Sequence, residues 1–231
     1  MMSCFGFVLN LVRPTMNADI TSLKGASTLL SPRSLAFAAA AALPTSRLLS
    51  AAGGADQVDD ANVAPMVQRV DYRNVDDAKA LVFLLDSYAR DPMGGGTKLN
   101  SDAAGRLCGD LASIPGAISF IAWHNNNNND HRDPEPVGLI NCFEGYSTFN
   151  ARPLLNVHDI AVLEGHRGRG VGRSLLMAAE EHARSRGCCK LTLEVLSGNA
   201  PAVATYERFG FRQYELDPAC GQAQFMHKKL L

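Results

Sequence analysis

From about Val63 onward, short apolar runs alternate with segments in which apolar residues recur at helical spacing, and each spacing predicts an element. Met66–Tyr72 reads as a first strand. Asn74 can cap a helix whose first turn carries Asp76 and Asp77, acids favoured by the positive end of a helix dipole. Its apolar face is Ala80, Leu81, Phe83, Leu84 and Tyr88, and Asp91–Pro92 stops it. Gly94–Gly96 forms a connector to a shorter helix over Ser101–Leu111. Ala117–Trp123 and Val137–Phe143 are two apolar runs that read as an antiparallel pair. The segment between them, His124–Asp133, holds five consecutive Asn residues and reads as a surface loop expansion. Val157–Leu163 is the next strand, followed by a glycine-rich turn and a helix to about Arg186. A strand at Lys190–Leu196, a helix at Pro201–Phe209 and last strands near Phe211–Glu215 and Ala223–Lys228 complete the pattern. The class is α/β (α+β), one domain over residues 62–231 with about four helices.

Composition sets the first 61 residues apart. Residues 1–54 hold ten Ala, seven Ser, the basic residues Arg13, Lys24, Arg33 and Arg47, and one acid, Asp19. That +3 segment leaves -4 for the remainder of a chain whose net charge is -1. A Ser- and Ala-rich, acid-poor, Arg-bearing leader is the composition of a mitochondrial or plastid transit peptide. A disordered low-complexity tail, or initiation at Met16, fits the same residues. Gly53–Ala61 is a polar, acidic linker. With the net charge so near zero, no general field attracts nucleic acid. No apolar run approaches the ~18 residues that span a bilayer, so no membrane partner is expected. The six cysteines are scattered without a C-x-x-C, which suits reduced structural thiols and no metal site.

The chemistry lies after Val157–Leu163. Arg167-Gly168-Arg169-Gly170-Val171-Gly172 occupies a strand-to-helix turn, with Arg173 next. Glycines there let the backbone curl and offer several N–H groups to one anion, to which the helix adds its unpaired first-turn N–H groups. The arginines supply cations. Such a turn binds a phosphate or pyrophosphate. It is not a Walker A loop, because G-x-x-x-x-G-K-[ST] is absent, and Gly168, Gly170 and Gly172 miss the G-x-G-x-x-G spacing of a dinucleotide site.

These residues carry a family resemblance. Arg167-x-x-Gly170-x-Gly172 resembles the R/Q-x-x-G-x-G/A pyrophosphate motif of the GNAT N-acetyltransferases. Asn199-x-x-Ala202-x-x-x-Tyr206-x-x-x-Gly210-Phe211 resembles that family's second cofactor motif. The likeness covers Met66–Leu231, and the predicted order of elements is also the family's. It implies a mixed, mostly antiparallel sheet whose strands splay around an acetyl-CoA site. It implies that backbone groups of Ile160, Ala161 and Val162 hold the pantetheine arm. The turn Arg167, Gly168, Arg169, Gly170, Val171, Gly172 and Arg173 would hold the pyrophosphate, Asn199 would touch the arm, and Tyr206 would stand near the sulfur. It is compatible with a homodimer.

Acyl transfer to an amine needs a neutral nucleophile, yet a free alkylammonium with a pKa of about 10.4 is protonated at pH 7. A base must remove that proton, and the strand offers two adjacent candidates, His158 and Asp159, expected to face opposite sides of the sheet. Tyr206 can supply an O–H to the departing thiolate. For the acceptor, Glu144-Gly145-Tyr146-Ser147-Thr148-Phe149, leading into His158-Asp159-Ile160, is similar to the corresponding stretch of diamine and polyamine acetyltransferases. Glu144 and Tyr146 of that stretch, and Asp91 as an acid able to attract a cationic amine, are candidate substrate contacts, and a small-molecule primary amine is the expected partner. A protein lysine or N-terminus, or a non-catalytic acyl-CoA-binding module, remain as alternative readings.

Overall fold

The computed structural model describes residues 64–125, 134–214, 217, 219 and 223–230. The leader and linker (residues 1–61) and most of the Asn-rich loop lie outside the described residues.

Strand β1 is Met66–Arg69, followed by helices α1 (Val75–Arg90) and α2 (Ser101–Ser113). Strands β2 (Ala117–His124), β3 (Glu135–Ser147) and β4 (Arg152–Val162) come next, then a 3₁₀ turn at Glu164–His166. Helix α3 (Val171–Ser185), strand β5 (Leu191–Leu193) and helix α4 (Ala200–Phe209) complete the fold. The five strands lie in the order β1-β2-β3-β4-β5, antiparallel up to β4 and parallel between β4 and β5.

Local chemistry accounts for the helix starts. Asn74 Oδ1 accepts from the backbone N–H of Asp76 and Asp77 at 2.9 and 3.1 Å, and Asn100 Oδ1 accepts from Asp102 at 2.8 Å. Helix α1 buries Ala80, Leu81 and Leu84, whereas Phe83, assigned to that face by its spacing, is 54% exposed. It sits one position off the buried stripe.

Both faces of the sheet are covered. On one, α1 and α2 pack over Ile121 and Leu139, with Leu81, Leu84 and Leu111. On the other, α3 lays Val171, Leu175, Leu176, Ala179 and Ala183 over Ile118, Ile140, Leu155 and Val157. Gly138 permits that approach: a Cβ there would meet Ala161 O at 3.0 Å, Val171 Cγ1 at 3.1 Å and Leu175 Cδ1 at 3.2 Å.

Several predicted boundaries shift, and β1 ends at Arg69 rather than Tyr72. The β3–β4 hairpin is longer than the apolar runs suggest, pairing from Gly138↔Val162 to Ser147↔Arg152. Pro153 and Asn156 interrupt the apolar pattern without interrupting the ladder. Strand β5 stops at Leu193, and its pairing with β4 ends at Val157↔Leu193. The last two predicted strands are absent among the described residues: Phe211–Tyr214 and Ala223–Leu230 are irregular. Apart from Phe211, which packs on the α3-side core, these residues have no buried face for a strand to occupy.

Candidate active site

Beyond Val157, β4 continues for five residues with no strand on its outer side among the described residues. Leu163 N–H donates to Val137 O at 2.9 Å, so Leu163 faces β3. By the alternation of strand backbone, Ala161 also faces β3, while Ile160 and Val162 turn their N–H and C=O groups toward the opening. Val162 O accepts from Arg167 Nε at 3.0 Å, in keeping with that orientation. A cleft with outward-facing main-chain groups of Ile160 and Val162 along one wall results, the Val162 carbonyl being engaged by Arg167.

The glycine-rich turn closes one end of this cleft. Gly168 and Gly170 have φ of +76° and +84°, a conformation that disfavours side chains, and a Cβ on either would stand in open space. Gly170 is the N-cap of α3 and offers no side-chain cap. The first helical bond runs from Ser174 N–H to Gly170 O, which leaves the N–H groups of Val171, Gly172 and Arg173 without an acceptor inside the helix. Clear space above the turn, unpaired N–H groups, a positive helix end and three nearby guanidinium groups fit a diphosphate.

Two site candidates meet each other here. Arg167 Nη2 donates to Asp91 Oδ2 at 2.9 Å while its Nε holds Val162 O, so this arginine ties the turn to the end of α1 and to β4. The Met93 backbone N–H and the Arg167 guanidinium hold the Asp91 carboxyl below the ordinary carboxylate range. Asp91 is thus engaged with the turn. Arg169 is exposed, and Arg173 Nη1 donates to Met177 Sδ at 3.2 Å. Asn199 caps α4, its Oδ1 accepting from Ala202 N–H at 3.4 Å.

The middle of the cleft departs from expectation. His158 and Asp159 were expected on opposite faces of the sheet, but β4 carries a bulge there: Asn141 pairs with Asp159 and Cys142 with Val157, leaving His158 as the extra residue. Val157 and Ile160 both pack on the α3 side although they are three positions apart, so His158 and Asp159 share the α1 side between them. His158 stacks edge-on against Phe143, whose packing is with the α1 cluster, at a centroid distance of 5.2 Å. Its buried Nδ1 has no hydrogen-bond partner among the described residues. Asp159 Oδ2 accepts from Asn141 Nδ2 at 3.0 Å. Burial raises the Asp159 carboxyl above its ordinary value, while the Asn141 hydrogen bond and His158 act in the opposite direction.

Tyr206 approaches from α4 on the other side, packed edge-on against Phe211 at 5.9 Å. Burial, reinforced by the neighbouring Tyr88, pushes its phenol up to about 12, so it keeps its proton at neutral pH. Tyr88 lies within electrostatic reach of Asp159, Asp91 and Tyr206, linking the two sides of the cleft at the end of α1. Its sequence position marks it only as a member of an apolar helix face.

Glu144 and Tyr146 do not join this group. Glu144 accepts from Arg186 Nε at 2.9 Å near the C-terminal end of α3, the end away from the glycine turn, and Tyr146 is 54% exposed. Next to the cleft, instead, Asn156 Nδ2 donates to Thr192 Oγ1 at 3.1 Å and lies 3.4 Å from a Glu194 carboxylate oxygen, while the buried Asn156 Oδ1 has no partner among the described residues. These polar residues were not singled out from the sequence. Their signal is an Asn within the apolar run Leu154–Val157.

A β4 edge left open by β5 beyond Val157 and ending in an arginine- and glycine-rich turn at a helix start defines a protein with a cleft suited to an anion-bearing ligand. The model of the acetyltransferase (GNAT) family matches residues 83–211, more than half the chain, and the chain belongs to that family. Streptothricin acetyltransferase of Streptomyces lavendulae is 48% identical over 77 residues, 33% of this chain and 40% of the relative. Mycothiol acetyltransferase of Saccharomonospora viridis is 38% identical over 69 residues, 30% of this chain and 22% of the relative. The chain therefore spans less than half the length of these relatives. The solved structure of AAC(6')-Iy with the bisubstrate analog CoA-S-monomethyl-acetylneamine shares the fold at a TM-score of 0.55 and 17% identity, covering 72% of this chain and 99% of that one.

Proposed function

We propose that this protein is an acetyl-CoA-dependent N-acetyltransferase whose acceptor is the primary amine of a small molecule. The observation that carries the reading is the cleft itself: the outer edge of β4 opens beyond Val157, with Asp159 on one side of the strand, Tyr206 on the other and the Arg167–Gly172 turn at its end.

Acetyl-CoA would supply an acetyl group already activated as a thioester. The turn from Arg167 to Arg173 would bind its diphosphate through main-chain N–H groups and the exposed guanidinium groups. The outward amides of Ile160 and Val162 and the Ile160 carbonyl would orient the arm, beside Asn199. Asp159, raised by burial and held by Asn141, would accept the proton that the incoming ammonium must lose. Tyr206, neutral at working pH, would hold a proton at its hydroxyl for the departing sulfur.

The names streptothricin, mycothiol and acetylneamine, attached to relatives and to the solved structure, support a small molecule as the acceptor. The acidic balance of residues 55–231 and the Glu194 carboxylate beside Asn156 support a cationic one, diamines and polyamines included.

The test is release of free thiol from acetyl-CoA by the full chain, measured with polyamines, lysine analogues, aminoglycosides and peptides in turn. Release that requires a small amine is the expected result. Peptide-only turnover would move the acceptor to proteins. Tight coenzyme A binding without turnover on any amine would leave a non-catalytic acyl-CoA module.

A further inference from the structure

Asp159 stands at the end of a line of hydrogen bonds that begins two strands away. Asn141 Nδ2 donates to its Oδ2 at 3.0 Å, Ser119 Oγ donates to Asn141 Oδ1 at 2.6 Å, and the Tyr72 hydroxyl lies 2.8 Å from Ser119 Oγ. Proton counting fixes the direction of the last link. The serine's single hydrogen is committed to the Asn141 carbonyl, so Tyr72 must be the donor to Ser119. Every hydrogen in the line then points the same way, from Tyr72 through Ser119 and Asn141 to the carboxylate.

Ser119 and Asn141 are 1% and 4% exposed, each set within an otherwise apolar strand on the face covered by α1 and α2. Apolar residues would fill those positions without any polar group to satisfy. Donors aligned head to tail polarise one another, and a line ending on a carboxylate favours its ionised form. We propose that Tyr72, Ser119 and Asn141 are positioning residues for Asp159, fixing the direction of its carboxylate toward the cleft. The proposal rests on Asp159 being the base.

Other titratable groups surround the same carboxyl. His158 adjoins it on β4, the Cys142 thiol lies on β3, and Tyr88 lies on α1 with Asp91 and Tyr206 near it. Burial pushes Cys142 up to about 12 and raises both tyrosines, so none of these three titrates at acid pH. His158 is separated from Asp159 by watching the Asp159 carboxyl directly.

The experiment has two readouts on the full chain. One is kcat/KM for the amine against pH. The other is the carboxyl-carbon NMR titration of protein labelled with 13C-aspartate, with the Asp159 signal assigned by its loss in Asp159→Asn. In Asn141→Ala both the acid limb and the Asp159 titration should move up by about one pH unit, the order expected for removing a hydrogen bond to a charged acceptor. On the acid limb that is an about tenfold loss of kcat/KM. Ser119→Ala should shift less and Tyr72→Phe least, all in the same direction. Tyr72 is only half-buried and far from the carboxyl, so Tyr72→Phe decides the matter if Asn141→Ala does not fold. An unmoved Asp159 titration in the folded variants would overturn the proposal. Full activity in Asp159→Asn would instead remove the base reading, and with it the catalytic sense of the line, even if the titration still moved.

Discussion

Two side chains carry the sharpest expectations at the scale of single residues. Tyr206→Phe keeps the ring against Phe211 and deletes only the hydroxyl. Loss of a general acid costs ~10²–10⁴-fold, and because water can stand in for a phenol, turnover should fall about 10²-fold. The KM for acetyl-CoA should change little, since the Arg167–Gly172 turn proposed for the diphosphate is elsewhere; turnover equal to wild type, with chemistry shown to be rate-limiting, would make Tyr206 a packing residue. Asp159 makes a prediction about stability. Its folded carboxyl is raised above the unfolded value, so folding favours the protonated form. Below the unfolded pKa of about 3.9 both states are protonated and the penalty vanishes. As pH rises through the folded pKa the penalty becomes complete. Asp159→Asn, which leaves Asn141 Nδ2 an oxygen to donate to, should therefore melt at a higher temperature than wild type at pH 7, with the gain shrinking toward pH 4. Thermal melts at the two pH values check this, and a lower melting temperature at pH 7 would contradict it. Activity and stability would then pull in opposite directions at one residue.

Among the elements, the junction of β4, the glycine turn and α3 is the most exposed to a decisive substitution. Gly170 sits at φ +84° with nothing within 4 Å of a built Cβ. Any side chain there costs about 1–2 kcal/mol in left-handed backbone. Gly170→Ala carries that strain alone, whereas Gly170→Glu adds a carboxylate to the space a diphosphate would fill. Calorimetry should find coenzyme A binding weakened in Gly170→Ala and abolished in Gly170→Glu, with cooperative melts in both. Equal affinity in the two would mean that the diphosphate lies elsewhere. The elements also differ in how legible they were. Helix α1 was readable from Asn74, Asp76 and Asp77, because a cap is a local event among neighbouring residues. The first half of β4 was not, because Pro153 and Asn156 break an apolar run whose pairing is set by the partner strand. The strands predicted near Phe211–Glu215 and Ala223–Lys228 rested on a few aromatic and apolar residues, and nothing in a local pattern reports whether a sheet edge is there to receive them.

At the scale of the whole molecule, the glycine- and arginine-rich turn was legible because its residues are contiguous in sequence. Asp159 was legible too, as an acid on a predicted strand, but its neighbours were not, because Tyr72, Tyr88, Ser119 and Asn141 come from different elements that only the fold brings together. Ser119 and Asn141 did leave a trace, as polar residues inside the apolar runs Ala117–Trp123 and Val137–Phe143. The leader makes a prediction that is independent of all this. Its Ser- and Ala-rich, acid-poor composition predicts that residues 1–61 fused to a fluorescent protein enter an organelle. A diffuse signal throughout the cell would discard the transit reading and leave the enzyme reading as it stands.

The extra residue at His158 has a consequence for recombination. Upstream of it, odd-numbered positions of β4 face α3; downstream, even-numbered ones do. A chimera joined before His158 and one joined after it therefore inherit opposite reading frames for inside and outside. Deleting that one residue would restore an unbroken ladder and leave a carboxylate at the same count from the turn. The segment upstream would stay in phase, with Val157 opposite Cys142 and Leu155 still toward α3, because the deletion removes the one residue that separates the two frames. A donor segment of equal length spanning this strand keeps its faces only if it carries the same slip, and a donor without the slip must be one residue shorter.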